Sequence, residues 1–289
     1  MIVIVGTIVV LGAVLGGFTM AGGNIGALVH ISEFVTIGGA ATGALIVMSP
    51  KKVLVDIAKG LLQTLKGAPY SRQSYEDLMK ALYEMFMLGR REGMIALEEH
   101  VNNPKQSSIL SKYPSVVHNE HAVEFLVNSL RPIVDGRVKP DQLRALLDTE
   151  LGAKTEEHHA PIGVLVKVAD SLPGFGIVAA VLGIIVTMGA IAGPPEQIGE
   201  KVAAALVGTF LGILLSYGFA HPLASNMEFI GIAELSYLRC IASAVVAFAN
   251  GMAPIVAVEI ARRGLSSDVR PTSEEMETML KTLNTPAKG

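Results

Sequence analysis

Few polar residues in this chain could carry chemistry, and several of them lie inside long apolar stretches. Thr209 places a hydroxyl in the middle of one stretch, and Glu33 places a carboxylate within another. A carboxylate near the middle of a membrane costs about 3 kcal/mol, so it tends to be paired, protonated or functional. Glu33 follows His30 and Ser32 and lies nearer one end of its stretch. It is therefore either a polar contact near the membrane surface or a member of an ion path or a helix lock.

Two apolar segments, residues 172–192 and 202–220, contain no charged side chain and are separated by a short turn. Each is about 20 residues long, enough for a helix to cross ~30 Å of hydrocarbon. They predict a membrane hairpin. Their many glycines and alanines indicate helices that lie close against other helices rather than a lipid-facing anchor.

The same hairpin offers the elements of a narrow polar slot. Pro173 and Ala180 are seven residues apart, nearly two helical turns, and therefore share one face. Pro173 with Gly174 can free a backbone carbonyl and let the helix bend. The two segments contain no carboxylate, however, and proton transfer across lipid usually needs a titratable group within it. Because Asp170 lies at the edge, we predict that a partner's membrane helix supplies the acid.

A third candidate feature is a charge cluster outside the apolar segments. Arg90-Arg91-Glu92 and Glu98-Glu99 fall on a predicted helix that begins at residue 74 and ends before residue 102. On one helix, Arg90 and Glu98 would lie ~12 Å apart along the axis and about 80° apart around it. The cluster is either a solvated face or an electrostatic docking surface for a partner.

Other chemistry is not indicated. The sequence contains no Gly-rich phosphate loop and no nucleophile elbow. His118 and His121 are three apart on a predicted helix and His158 is adjacent to His159, but such pairs are usually surface histidines, so we predict no metal site. With the single Cys240, an internal disulfide is excluded. We predict neither an enzyme nor a bound cofactor.

The composition indicates a protein that is part membrane and part aqueous. Of its 289 residues 51% are hydrophobic and 17% charged, and the mean hydropathy is +0.49. These values are too apolar for an ordinary soluble protein and too charged for a chain that lies in the membrane throughout. The net charge of −3 is spread along the chain, so nucleic-acid binding is not predicted.

The predicted fold is all-α: a polytopic membrane protein with four transmembrane helices and an α-helical cytoplasmic domain. Residues 2–20 and 25–48 form the first two spans. Lysines and arginines flank the ends that lead into the long hydrophilic regions, which places those regions and both termini in the cytoplasm. The predicted divisions are 1–48 for spans one and two, 49–168 for the cytoplasmic domain, 169–222 for spans three and four, and 223–289 for a cytoplasmic helical region and tail.

Within the hydrophilic regions, apolar periodicity predicts an amphipathic helix over residues 51–66 and further helices over 119–130 and 141–157. A helical pattern continues from residue 222 to about 263, with a kink expected at Gly251-Met252-Ala253-Pro254. The tail from 266 to 289 is polar and is expected to be loose at its end.

Two specific strings then resemble a known family. Residues 170–181 and residues 207–219, followed by Pro222, are similar to the third and fourth membrane helices of MotA-family subunits of the flagellar motor stator. The resemblance covers almost the whole chain, including Glu33, Glu98 with the following Asn103-Pro104, and the run 254–259.

This resemblance implies an assembly that spacing alone does not predict. Such subunits form a ring, a homopentamer, around a MotB dimer in the bacterial inner membrane, and MotB carries the aspartate that takes the ion. Ion passage turns the ring, and its cytoplasmic domain pushes the rotor protein FliG.

The resemblance also implies residue roles. Arg90 and Glu98 match the charges that contact the rotor, and Pro173 and Pro222 match prolines tied to the conformational step. Thr209 lines the ion path. Sodium-driven relatives tend to carry threonine where this chain has Ala180, and a methyl group offers sodium no ligand, so protons are the expected ion.

Three alternatives stay open at this point. The chain could be a sodium-driven stator, or an energiser of the ExbB or TolQ kind that couples protons to work at the outer membrane. Four spans and the large insert after the second helix disfavour the second alternative. A structural membrane scaffold without ion flow is the third.

Overall fold

The fold was analysed on a computed structural model, which describes residues 2–189 and 191–284. Every regular element in those residues is helical, which confirms the all-α prediction. The α-helices are α1 (Ile2–Met20), α2 (Ile31–Met48), α3 (Lys51–Lys66), α4 (Arg72–Glu92), α5 (Glu98–Asn102), α6 (Pro114–Val117), α7 (Glu120–Val134), α8 (Pro140–Met188), α9 (Pro195–Ile213), α10 (His221–Ala249), α11 (Pro254–Arg263) and α12 (Ser273–Asn284). Short 3₁₀ helices occupy Ile25–Leu28, Met94–Leu97, Pro104–Gln106 and Leu110–Lys112, and a π-helix, Leu214–Ala220, joins α9 to α10.

Four helical stretches among the described residues are long and apolar enough to cross a membrane: Ile2–Met20, Ile25–Met48, Pro140–Met188 and Pro195–Ala249. The protein is therefore a multi-pass membrane protein, as predicted. The prediction of α1 and α3 matches their observed bounds. The second span differs, because a 3₁₀ turn precedes α2, which begins only at Ile31.

The chain divides into two compact units. The membrane unit comprises the described residues within 1–67 and 157–230, and the globular unit those within 68–156 and 231–289. These divisions fall within α8 and α10. The three predicted boundaries at 48, 168 and 222 describe positions relative to lipid and stay predictions.

In the membrane unit, α3 packs along its apolar side. Ile57 of α3 is 3% exposed, and Met227 approaches so closely that a Cβ at Gly60 would lie 2.4 Å from its Cε. Ile162, Leu165 and Ala224 form the adjoining cluster, with Leu61 of α3 packed against it. The amphipathic pattern predicted for residues 51–66 thus corresponds to a helix whose apolar side contacts α8 and α10.

The helix that contains the third span is longer than predicted. We expected a separate helix over 141–157 and a new one from residue 172, but α8 runs unbroken through Pro161 and Pro173. A proline removes one backbone hydrogen bond and strains the preceding turn, yet a helix held by packing on both sides of it continues.

The globular unit is built around α4. Leu78, Met79, Leu82 and Phe86 of this helix are fully buried, and the ring of Phe86 stacks on Phe248 with centroids 4.4 Å apart. The helix begins at Arg72, and its N-cap is Ser71 rather than Ser74, three residues earlier than the predicted cap. The two serines form a capping box in which each side chain bonds to the other's backbone amide.

One further sequence expectation for this unit is wrong. The helix predicted to end just before residue 102 ends at Glu92, because Gly93 adopts φ +91° and turns the chain. Within the polar tail, the structure contains a helix that the sequence analysis did not predict, α12, which buries Met276 and Leu280. Residues 285–289, the predicted loose end, lie outside the described residues. The kink expected near residue 251 is a complete break between α10 and α11, with Gly251 at φ +80°.

Arg262 ties the last two helices together. It is 8% exposed and donates to both carboxylate oxygens of Glu259, to the carbonyl oxygen of Pro271 at 2.8 Å and to the hydroxyl of Ser273 at 2.9 Å. The hydrogen bonds from Arg262, with a further one from Arg263, hold the pKa of Glu259 down at about 2. The pair is ionised at neutral pH and joins α11 to the start of α12.

We expect Arg262→Ala to destabilise the globular unit by about 2–4 kcal/mol, because it leaves the carboxylate of Glu259 and two other acceptors without their donor. Arg263→Ala is the matched control, since Arg263 bonds to the same glutamate but its side chain is 73% exposed. Hydrogen exchange of the α11 and α12 amides measures the difference. Equal acceleration of exchange in the two variants would contradict this role for Arg262.

Candidate functional site

The candidate site is built on a backbone contact between α8 and α9. A Cβ at Gly176 would lie 2.7 Å from the carbonyl oxygen of Gly208, and one at Gly212 would lie 2.6 Å from the carbonyl oxygen of Leu172. Further along, a Cβ at Gly183 would lie 2.9 Å from that of Ala205. We call these contacts the glycine seam. Residue numbers rise along α8 as they fall along α9, so the helices are antiparallel.

The small residues of the two segments therefore have the function that their abundance predicted. Without side chains between them, the helices approach until main-chain atoms touch, which maximises dispersion contacts where lipid provides no hydrophobic drive. The four-residue spacing of Gly208 and Gly212 keeps both on the same face of α9.

Glu33 lies against the centre of this seam. Its side chain is 6% exposed, and a Cβ at Gly208 would lie 2.6 Å from its Oε2. Among the described residues, that oxygen has no hydrogen-bond partner, while Oε1 accepts a long bond of 3.5 Å from Ser32. The position in the first turn of α2 favours a negative side chain, because helix dipoles leave partial positive charge there. The carboxyl group thus lies where three helices meet, and its role stays a prediction.

Ala180 and Thr209 lie close to the same contact between α8 and α9. The Cβ that Gly208 lacks would lie 3.2 Å from the backbone nitrogen of Ala180, and the one that Gly176 lacks would lie 3.3 Å from Cα of Thr209. Both side chains are half-buried. The structure therefore brings Glu33 and Ala180 to Gly208, and Thr209, the next residue in the chain, to Gly176.

The two prolines lie away from Gly208, towards the end of the glycine seam formed by Leu172 and Gly212. Pro173 is half-buried in the interior of α8, and Pro222 is exposed in the first turn of α10, directly after the π-helix. The turns that carry them are in contact, since Nε2 of His221 lies 3.1 Å from Oδ1 of Asp170. That pair is close enough for an ion pair but is not aligned as a hydrogen bond.

The chain is 37% identical over 286 residues to Motility protein A of Salmonella typhimurium, an alignment that covers 99% of this chain and 97% of that protein. The chain belongs to the MotA family. It is also 36% identical over 275 residues to the chemotaxis protein LafT of Vibrio parahaemolyticus, covering 95% and 96% of the two chains. Residues 4–93 match the model for the N-terminal part of Motility protein A, and residues 117–229 match that of the MotA/TolQ/ExbB proton channel family.

Solved structures share the fold of this MotA-family chain. The C. jejuni MotAB structure superposes with a TM-score of 0.79 at 21% identity and covers 94% of this chain and 98% of that one. The flagellar MotAB stator complex of Bacillus subtilis gives 0.74 at 22% identity, with 95% and 98% covered.

Arg90 and Glu98 lie elsewhere, on the globular unit, and their predicted geometry is wrong. They do not share a helix, because Arg90 is in the last turn of α4 and Glu98 is the first residue of α5, beyond the turn at Gly93. The chain folds back there, so that a Cβ at Gly89 would lie 3.0 Å from Cδ1 of Leu97. Both charges are exposed, and neither forms an ion pair with another residue of the described ranges. Their exposure is compatible with both interpretations of the cluster.

Sequence reasoning missed two contacts between distant residues of this MotA-family chain. The histidine pair was placed on one helix, but α7 begins at Glu120, after His118. His121 instead lies 2.7 Å from the buried carboxylate of Glu234, whose hydrogen bond raises the pKa of His121. The contact between His221 and Asp170 joins residues 51 positions apart, and only a three-dimensional arrangement reveals it.

We expect Gly212→Ala to force α8 and α9 apart and to abolish motility, because the new methyl group meets main-chain atoms of Leu172 and Gly176 that cannot rotate away. Gly163→Ala on α8 is the control, since nothing lies within 4 Å of its Cβ position. Swimming in soft agar and the amount of intact complex after detergent extraction measure the effect. Wild-type swimming by the Gly212 variant would show that the seam tolerates a side chain.

Proposed function

We propose that this chain, a stator subunit of the MotA family, conducts protons together with a MotB dimer and converts their flow into torque on the rotor. The observation that carries the proposal is the arrangement at the glycine seam. Ala180 and Thr209 lie beside it, yet residues 172–192 and 202–220 contain no aspartate or glutamate. A proton path across lipid needs a titratable group.

Glu33 does not meet that need on its own. Its carboxyl group is almost fully enclosed by α2, α8 and α9, and an ion carrier must exchange its ion with water on both sides. The acid is therefore supplied by the membrane helix of the partner. The two solved relatives are complexes of MotA-type with MotB-type chains, which supports this assignment.

The rest of the assembly follows from the same family membership. Five copies form a ring around the MotB dimer in the bacterial inner membrane, with both termini and the globular unit in the cytoplasm. There, Arg90 and Glu98 contact FliG. Pro173 and Pro222 are placed to let α8 and the start of α10 change shape as the ion passes.

Protons are the proposed ion because position 180, where sodium-driven relatives tend to carry threonine, is an alanine in this chain. Sodium needs several oxygen ligands, and the methyl group of Ala180 provides none. A proton needs only a chain of hydrogen-bonding groups, to which the hydroxyl of Thr209 contributes.

Reconstitution into liposomes tests this function. We expect a pH gradient to collapse several-fold faster when the chain is reconstituted with its MotB-type partner than when it is present alone, and a sodium gradient to persist in both cases. The control is the same complex with the membrane aspartate of the partner changed to asparagine. Rapid proton flux through this chain alone would refute the need for a partner's acid, and sodium flux through the complex would refute the choice of ion.

Charge reversal tests the rotor contact. A single exposed pair contributes about 0.2–1 kcal/mol and is screened by salt, so Arg90→Glu and Glu98→Lys should each reduce swimming partially, and reversal should act more strongly than neutralisation. Arg91→Glu and Glu99→Lys are matched controls on the neighbouring exposed charges. If the reversals at 90 and 98 left swimming at its wild-type rate, the docking role would be lost.

A further inference from the structure

Pro173 leaves one carbonyl of α8 without its usual donor. In an α-helix the amide of residue 173 would bond to the carbonyl oxygen of Ala169, but proline has no N–H. Ala169 is fully buried. A buried carbonyl without a donor is costly, and in lipid no water is at hand to replace it.

Ser216 supplies the missing donor. Its hydroxyl donates to the carbonyl oxygen of Ala169 at 2.7 Å, and the serine, like the alanine, is 0% exposed. The bond is a long-range one, because it joins residues 47 positions apart on two different helical segments. It therefore links α8 to the π-helix at the very turn that Pro173 disrupts.

The same serine takes part in the disruption before Pro222. It lies in the π-helix Leu214–Ala220, and its own carbonyl oxygen accepts the backbone N–H of His221, the residue preceding that proline. This bond spans five residues, the π-helical pattern, and such wide turns concentrate at functional sites. One residue thus bonds through its side chain to the turn of Pro173 and through its main chain to the turn of Pro222.

A second contact joins the same two turns. His221 lies against Asp170, the residue after Ala169, and its ring stacks on that of Tyr217, the residue after Ser216, with centroids 5.6 Å apart. Asp170 is largely exposed, so that pair is weak. The bond from Ser216 is the buried one of the two.

We propose that Ser216 is a positioning residue that couples the bend at Pro173 to the π-turn before Pro222. The inference rests on the proposed function, in which these turns change shape as protons pass. Because the bond is buried, it is either made or replaced by another one, and such a contact has discrete states rather than a continuous range. A shift of α8 at Pro173 therefore pulls on the start of α10.

A double-mutant cycle tests the bond without ion flow. Ser216→Ala removes the hydroxyl, and Pro173→Ala restores an amide that takes over the carbonyl of Ala169. In the purified complex we expect Ser216→Ala to lower Tm by about 2–4 °C when Pro173 is present and by much less when Pro173→Ala is also present. Equal, additive shifts would overturn the assignment. Ser216→Cys, which is nearly isosteric but a weak donor, should fall between the two and provides the measurement if the alanine variant does not fold.

Torque separates positioning from simple stability. We expect Ser216→Ala complexes that assemble and extract normally to retain proton flux in liposomes but to lose at least half of the stall torque of tethered cells. Wild-type torque together with a non-additive cycle would overturn the positioning role and leave the stator function standing. Absence of proton flux in the wild-type complex would instead refute the proposed function while the cycle still reports on the bond.

Discussion

The close approach of α8 and α9 is the constraint on which the membrane unit depends. Where main-chain atoms of Leu172 and Gly208 touch the opposite helix, no position has room for a side chain. The absence of a side chain at Gly208 also creates the space that the carboxylate of Glu33 fills. Close packing and the placement of a buried acid are therefore one requirement, since a methyl group at position 208 would disturb both.

Helices packed this closely have little room to bend within the glycine seam, so a change of shape is easier beyond the end of the seam. That is where the chain places its irregularities. Pro173 interrupts the hydrogen bonds of α8 at one end of the seam, and the π-helix widens the chain after α9 at the same end. The interruptions are not loose, because Ser216 satisfies the carbonyl that Pro173 frees. A rigid seam with a bonded but irregular end is suited to transmit a small displacement rather than absorb it.

Apolar patterns along the sequence predicted the membrane spans and one amphipathic helix well. Breaks between helices and contacts between distant residues were not predicted. A continuous apolar run identified α1, and apolar periodicity identified α3, to the residue, because lipid exposure or burial decides each of their positions. The break at Gly93 was missed, since Ile95 and Leu97 continue the apolar pattern on a different element. α12 was missed although Met276, Met279, Leu280 and Leu283 pack against the core at helical spacing, because the rest of the segment is polar. The seam was predicted in kind from its small residues, but the meeting of Glu33 with Gly208 joins distant parts of the chain, and spacing along the sequence carries no information about it.

Glu33 also shows why a buried acid and an acid that carries an ion need different surroundings. The carboxyl group of Glu33 is enclosed by three helices and shielded from water, and among the described residues its Oε2 has no hydrogen-bond partner. An acid that binds and releases an ion in each cycle needs a path to both sides of the membrane, which close packing denies. The tighter the seam, the better it fixes Glu33 and the less it can expose that group. This contrast is the physical reason why the proposed proton path takes its mobile acid from another chain.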